Sequence, residues 1–130
     1  MECTFDHLHI RSSDPEAVAS WFEKMLGAEV IRSMQLGKPR VDVKLGNQKI
    51  FIMPISEGDR INAAPESPHR GLDHFGLSVK DIDAVYEGLK QKGAEFTQHV
   101  YTQRPGIRVM FLRGPEGISI ELLERNENHR

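Results

Sequence analysis

The sequence predicts an α+β fold in which two βαβββ modules form a cupped, mostly antiparallel sheet with the helices on its outer face. Three observations support this prediction: the chain contains two similar halves, each half opens with a strand pattern followed by a helix pattern, and each helix pattern is followed by three further strand patterns. We therefore expect a single domain over residues 1–130, made of modules at about 5–55 and 72–124 joined by a loop at about 56–71.

The two halves are visible as an internal repeat, because "FDHLHIRSSD" at residue 5 resembles "LDHFGLSVKD" at residue 72. The matched residues are Asp6, His7 and Asp14 in the first copy and Asp73, His74 and Asp81 in the second, at a constant offset of 67. After a slip of one residue, a Gly-Ala-Glu tripeptide at 27–29 matches another at 93–95. Two such copies predict two similar supersecondary units, each of which needs a partner to cover its apolar face.

The first module opens with a strand over residues 5–11, where Leu8 and Ile10 lie on one face and His7 and His9 on the other. A helix follows, with Asp14 as its N-cap, a proline at its first position and a glycine at residue 27 as its end. Segments at 29–34, 41–45 and 49–53 then have strand character, with a turn at residues 46–47.

The second module repeats this order. Apolar residues at 75, 77 and 79 share one face of its first strand, and His74, Gly76 and Ser78 share the other. Asp81 is the expected helix cap and Gly93 the expected end. Strands are predicted at 95–101, 107–112 and 118–123, and the last six residues are predicted to fray.

Composition narrows the class of protein. The chain is 38% hydrophobic and 28% charged, and 17 Lys and Arg face 19 Asp and Glu, without a dense basic patch. Nucleic acid is therefore not expected as a partner, and no apolar run long enough to span a membrane occurs. The single cysteine, Cys3, and a start without the features of a signal peptide predict a cytoplasmic protein.

The polar face of the predicted strands carries the candidate site. Each helix must cover the apolar strand face, so His7 and His74 are expected to point into the enclosure that the sheets form together. In "GISIELLE", Glu121 alternates with Ile120 and Leu122, so its carboxylate faces the same way as the histidines. Two imidazoles and one carboxylate hold a divalent metal such as Fe, Mn, Co, Ni or Zn and leave positions free for substrate. Ordinary core histidines are the alternative, and their symmetric placement favours the metal.

These residues, with "MLGAEV" after the first helix and "FLRGPEGISIELLE" near the end, resemble the vicinal oxygen chelate superfamily over about residues 5–124. That superfamily includes glyoxalase I, methylmalonyl-CoA epimerase, extradiol dioxygenases and fosfomycin-resistance enzymes. The resemblance implies metal ligands at His7, His74 and Glu121. It also implies a small substrate that chelates the metal through neighbouring oxygens, with the metal acting as a Lewis acid.

The resemblance first implies a metal-dependent lyase or isomerase of the glyoxalase type. Glyoxalase I has a fourth ligand, a carboxylate that is also the base, where this chain has Phe51, and the epimerase has Gln there. The alternatives are an extradiol-type dioxygenase or an antibiotic-modifying enzyme, both with three ligands, or a non-catalytic ligand-binding protein of the bleomycin-resistance type. Dioxygenases usually place a tyrosine ten residues before the carboxylate, where this chain has Phe111, and the potassium loop of the fosfomycin enzymes is not found between residues 96 and 110.

Other residues are candidates for contact with the substrate. His9 shares a face with His7 and is interpreted either as a general acid or base or as a hydrogen-bonding partner. Arg11, Arg40, Arg104 and Arg108 are weighed as anion-binding residues against an ordinary surface role. The substrate-binding candidates are Arg11, Phe51, His99, Arg108 and Phe111. Two-module chains of this size resemble homodimers, so the ligand trio is expected from one chain or from two.

Overall fold

The computed structural model describes residues 1–126, and the predicted βαβββ order is confirmed in both halves of this part. The first half comprises β1 His7–Ser12, α1 Pro15–Leu26, β2 Glu29–Gln35, β3 Lys38–Leu45 and β4 Gln48–Pro54. The second comprises β5 Phe75–Ser78, α2 Ile82–Gln91, β6 Phe96–Arg104, β7 Ile107–Arg113 and β8 Ser119–Arg125, with a short 3₁₀ turn Pro115–Gly117 before β8. The chain divides into two compact units between Asn62 and Ala63, called unit 1 and unit 2 below.

Each unit contains one four-stranded sheet. The strand order is β1-β4-β3-β2 in unit 1 and β5-β8-β7-β6 in unit 2. The pairs β1/β4 and β5/β8 are parallel, whereas the other strand pairs of the two sheets are antiparallel. The mostly antiparallel arrangement is therefore confirmed, and the opening strand of each unit lies directly beside its closing strand.

Helix α1 forms where its capping residues predict it. The Asp14 side chain accepts a hydrogen bond from the Ala17 N–H at 3.1 Å, and Pro15 occupies the first position, where no N–H donor is needed. The helix ends at Gly27, which adopts a left-handed φ of 68° that a side chain would disfavour. Its apolar face buries Val18, Ala19 and Phe22.

Helix α2 is capped in the same way, since the Asp81 side chain accepts from the Ala84 N–H. It differs from the prediction at its other end: the last helical residue is Gln91, the cap is Lys92, and Gly93 follows with a left-handed φ of 79°. The glycine thus reverses the chain one residue beyond the cap. Neither α1 nor α2 is long and apolar enough to cross a membrane, as far as the described residues go.

The core of each unit lies between its helix and the adjacent sheet face. In unit 1 the buried strand residues are Val41, Val43, Ile50 and Ile52, together with Ile10 of β1. In unit 2 they are Met110, Leu112, Ile120 and Leu122, while Ile107, Val109 and Leu123 form a second buried cluster on the opposite face of the sheet. Residues between them on the strands, including His9 and Glu121, face the other way. Strand β8 includes Arg125, the first of the six residues predicted to fray, and residues 127–130 lie outside the described part.

Candidate metal centre

In unit 2, the structure brings together two of the three predicted ligands. The Nε2 atom of His74, the residue before β5, lies 3.2 Å from the Oε2 atom of Glu121 on β8. Two donors bound to one ion at about 2.1 Å each would be separated by roughly this distance, about 3 Å. The Glu121 side chain is 16% exposed and the His74 side chain 33%, so the pair is partly shielded from water and still accessible.

A second carboxylate fixes which nitrogen of His74 faces Glu121. The Nδ1 atom lies 2.6 Å from Oδ2 of Asp73, and a carboxylate only accepts, so Nδ1 carries the proton. In the neutral ring, the Nε2 lone pair then points at a carboxylate oxygen. Two acceptors this close need a proton or a metal cation between them. In proteins, a metal-binding histidine commonly donates its other ring N–H to a carboxylate, as His74 does to Asp73.

Glycine at position 76 lies directly beside the side chains of Glu121 and Leu123 on β8. Gly76 and Glu121 are direct partners in the β5/β8 pair. A Cβ atom added at Gly76 would lie 3.3 Å from Cδ2 of Leu123 and 3.6 Å from Oε1 of Glu121. An alanine at this position would therefore crowd the Leu123 side chain and form an ordinary van der Waals contact with the Glu121 carboxylate.

We expect the substitution Gly76→Ala to lower divalent-metal affinity by up to about tenfold, because the crowded contact with Leu123 shifts β5, and with it His74, relative to Glu121 on β8. Titration of the purified protein with Zn²⁺ against a chromophoric chelator measures it. Gly88→Ala is the matched control, since an added Cβ in α2 meets no atom within 4 Å and alanine favours the helix. Equal metal affinity of the two variants would contradict this role of Gly76.

In unit 1, His7 has the same support as His74. Its Nδ1 atom lies 2.7 Å from Oδ2 of Asp6, the residue that matches Asp73 in the repeat. Nδ1 is again the protonated nitrogen, and the lone pair of Nε2 is directed away from Asp6. No other residue of unit 1 forms a hydrogen bond with Nε2 of His7. Both histidines are thus held in the tautomer that a metal ligand requires.

The internal register of each sheet shows which residues correspond. His9 is the partner of Phe51 in β1/β4, and Gly76 is the partner of Glu121 in β5/β8, with the offset of 67 preserved on the first strand. Phe51 therefore occupies in unit 1 the place that Glu121 occupies in unit 2. One strand further, Asp42 is opposite Phe51 while Phe111 is opposite Glu121. The acidic and aromatic positions are exchanged between the two units.

Phe51 contacts both the histidine and an arginine. Its ring stacks on the His7 ring with centroids 4.2 Å apart, and the Arg40 guanidinium carbon lies 4.7 Å from its centroid. In unit 2, Phe111 instead contacts the His74 ring edge-on at 5.0 Å and packs on the buried residues Ile107, Val109 and Leu123. Each histidine is therefore held by a carboxylate and by an aromatic ring.

His9 and Arg11 lie on the same face of the unit 1 sheet as His7. The His7 and His9 rings are 6.2 Å apart. Partial desolvation lowers the pKa of His9, and the neighbouring charges of Arg11, His7 and Arg40 lower it further, while Asp42 opposes them. Arg11 donates to the Met53 sulfur at 3.1 Å, a weak acceptor, and is otherwise exposed.

Two of the predicted substrate-binding residues lie elsewhere in unit 2. His99 forms a 2.8 Å hydrogen bond with the Tyr86 hydroxyl of α2. Arg108 pairs with Asp83 of α2 at 2.7 Å and with Thr102 at 3.0 Å. Both side chains thus belong to the helix side of the sheet and not to the face of Glu121. Arg108 borders a cleft of about 420 Å³ there.

The donor set fits a divalent transition metal, since both predicted imidazoles present Nε2 and Glu121 lies beside one of them. Within residues 1–126, neither unit by itself groups three or more His, Cys, Asp or Glu side chains in a way that would hold a metal ion. Sequence reasoning missed two contributors, Asp6 and Asp73, although they match each other in the repeat. An acidic residue directly before each candidate histidine was the available signal.

Comparison with protein families gives a match over residues 4–122 to the model described as the Glyoxalase/Bleomycin resistance protein/Dioxygenase superfamily. Among curated proteins, the chain is 38% identical over 64 residues to glyoxalase I of Saccharomyces cerevisiae, a match that covers 49% of the chain and 19% of the yeast protein. It is 34% identical over 94 residues to ethylmalonyl-CoA/methylmalonyl-CoA epimerase of Cereibacter sphaeroides, covering 68% of the chain and 70% of the epimerase.

Among solved structures, a glyoxalase family protein from Bacillus cereus is similar with a TM-score of 0.77. The match covers 97% of this chain and 96% of that protein at 22% identity. A likeness at this identity shows the fold, in agreement with the order of elements in both units. The chain spans only a small part of the yeast glyoxalase I, and most of the epimerase.

Proposed function

Because the chain belongs to the glyoxalase/bleomycin resistance protein/dioxygenase superfamily, we propose that it is a metal-dependent lyase or isomerase of the glyoxalase type. Its substrate would be a small molecule that binds a divalent metal through neighbouring oxygens. The observation that carries this proposal is the 3.2 Å approach of His74 Nε2 to Glu121 Oε2, with Nδ1 of the same ring held by Asp73. A divalent cation bound here would accept the Nε2 lone pair and the Glu121 oxygen together.

In this proposal His7, His74 and Glu121 hold the metal. When bound, the ion would act as a Lewis acid that stabilises negative charge developing on a substrate oxygen. Asp6 and Asp73 keep the imidazoles in the required tautomer and fix the direction of their rings. The three ligands would come from one chain or, in a homodimer, from two.

His9 is the proposed proton-transfer group. It lies on the same strand face as His7, with the rings 6.2 Å apart, and it is exposed to solvent. An imidazole at this place can accept a proton from a substrate carbon or oxygen and return it to a neighbouring atom. Phe51 cannot do this, although it occupies the place that corresponds to Glu121. We therefore assign proton transfer to His9 on β1 and not to residue 51 on β4.

Oxidation by Fe(II) and O₂ is a second candidate, favoured by one observation. Phe51 provides no fourth ligand, so an ion held by two histidines and one carboxylate keeps three positions open, as in non-haem iron oxygenases. Metal content separates the two proposals. Iron together with oxygen uptake on a panel of catechols would support oxidation, whereas Zn, Ni, Co or Mn without oxygen uptake would support the lyase or isomerase.

The test is elemental analysis of protein purified without chelators, followed by titration of the chelator-treated protein with each of these ions. We expect about one divalent ion per chain, because the ligand set occurs once in each chain. Protein that is isolated without a divalent ion and binds none on titration would overturn the metal-dependent proposal and leave a non-catalytic ligand-binding role.

A further inference from the structure

An arginine of β3 shares the sheet face that carries His7 in unit 1. Asp42 is the partner of Phe51 in β3/β4, and Phe51 is the partner of His9 in β1/β4. Arg40 lies two residues before Asp42 on the same strand and therefore on the same face. The face thus presents, across neighbouring strands, the histidines, the Phe51 ring and the Arg40 guanidinium.

The guanidinium of Arg40 is held in a fixed orientation. Its Nε donates to Oδ2 of Asp42 at 2.7 Å, its Nη1 donates to the Gln35 side chain, and it lies over the Phe51 ring. Asp42 is itself fixed, because it is 8% exposed and its Oδ1 accepts from the Ile52 N–H at 3.0 Å. The arginine has therefore already lost the rotational freedom that binding an anion would otherwise cost.

One edge of this guanidinium is left available. No residue of unit 1 accepts a hydrogen bond from Nη2 of Arg40, and the atom is not among the buried unpaired nitrogens of the described chain. The Asp42 oxygens are both occupied, by Arg40 and by the Ile52 N–H. An oxyanion that approaches from the open side would thus meet a pre-oriented charged donor whose counter-ion lies behind it.

The charges on this face also favour an anion. The cationic residues are Arg11, Lys38, Arg40, Lys44 and Lys49, and the acidic residues on the strands are Asp42 and Glu29. Glu29 is opposite Lys44, and Asp42 is engaged with Arg40. Among residues 1–126, Arg11 has only the Met53 sulfur as a hydrogen-bond acceptor. The region around His7 and His9 is therefore left with positive charge.

We infer that Arg40 determines substrate specificity by binding an anionic group, a carboxylate or a phosphate, on the small molecule whose neighbouring oxygens the metal would hold. This inference rests on the proposed function. Phe51 contacts both the His7 ring and the Arg40 guanidinium, so these two groups are close enough for one small molecule to reach both. The substrate is thus an anion that carries its chelating oxygens a few bonds from its charge.

The test compares three ligands of Zn²⁺-loaded protein by calorimetry: glycolate, malate and 3-phosphoglycerate. All three carry neighbouring oxygens, and only the last two add a carboxylate or a phosphate. We expect at least one of these two to bind about tenfold or more tighter than glycolate, because a charged hydrogen bond is worth at least that factor. Which of the two binds more tightly identifies the anionic group.

The double variant Arg40→Gln/Asp42→Asn is expected to abolish this preference, with glycolate affinity unchanged. It avoids an unpaired buried carboxylate, which Arg40→Gln alone would leave. Arg32→Gln is the matched control, since Arg32 is the partner of Val41 on the helix face and pairs with Glu16. If the preference persists in the double variant, or is absent from the native protein, the inference is wrong.

A metal-free arm separates this inference from the proposed function. Chemical shifts of unit 1 amides are followed by NMR as 3-phosphoglycerate is added to chelator-treated protein, native and doubly substituted. Shifts around Arg40 that occur in the native protein and not in the double variant would support the anion site. If the native protein also binds no metal on titration, the metal-dependent proposal is wrong and the anion site remains. Metal uptake without any dependence of ligand affinity on Arg40 would refute only the anion site.

Discussion

Substitution of His74 by alanine is expected to lower divalent-metal affinity at least about a hundredfold. The variant removes a direct ligand, whereas loss of a supporting partner alone typically costs 10–100-fold. It also leaves Glu121 and Asp73 without the imidazole that both contact. Competition with a chromophoric chelator measures the change, and catalytic activity, once a substrate is known, should fall in parallel.

Two further variants show whether the effect is local. His99→Ala removes a histidine from the helix side of the same unit, where it is bonded to Tyr86, and should leave metal affinity unchanged. Asp73→Asn keeps the ring and weakens its support, so an intermediate loss of about 10–100-fold is expected. Equal losses in His74→Ala and His99→Ala, with a common drop in thermal stability, would show damage to the fold and contradict the ligand assignment.

Mixing two defective variants shows whether one chain supplies all three ligands. His7→Ala and Glu121→Gln each destroy every site in their own homo-oligomers. If His7 of one subunit completes a site with His74 and Glu121 of another, co-refolded mixtures regain one intact site in each mixed dimer. If each chain builds its own site, no mixture binds the metal. Light scattering on the same samples gives the oligomeric state.

The fold was predictable because several local signals agree along the chain. Asp14 and Asp81 cap helices in both copies, and the strand alternation around His9 and Glu121 correctly separates the core face from the polar face. The exact end of α2 was less predictable, because Lys92 provides the cap and Gly93 only the reversal that follows.

The sequence alone was a weaker guide to the positions of His99, Arg108 and Arg40. The β6 register is interrupted between Gln98 and Tyr101, so alternation does not fix the direction of His99. Arg108 lies an odd number of residues before Phe111, which already places the two side chains on opposite faces of β7. The pairing of Arg40 with Asp42 and Phe51 depends on the β3/β4 register, which the sequence does not specify.

Replacing Phe51 by glutamate is the complementary experiment, because it adds a ligand where His74→Ala removes one. The new carboxylate would stand beside His7, in the place that corresponds to Glu121, and divalent-metal affinity is expected to rise about tenfold or more. Loss of the stacking contacts with His7 and Arg40 acts in the opposite direction, which Phe51→Leu measures alone. We therefore expect the metal affinity of Phe51→Leu to be below that of the native protein and the metal affinity of Phe51→Glu to be above it.

Arg40 is expected to reduce the gain in metal affinity of Phe51→Glu. Its guanidinium lies over the position of the Phe51 ring, so it would pair with a glutamate there and compete with the metal for the carboxylate. Adding Arg40→Gln to Phe51→Glu should then release the carboxylate and raise metal affinity further, whereas Arg32→Gln in the same background should not. If Phe51→Glu binds metal no better than Phe51→Leu even without Arg40, the β4 position does not face the metal. Phe51 and Glu121 would then occupy matching positions in the backbone pairing of the two sheets, without a matching role in metal binding.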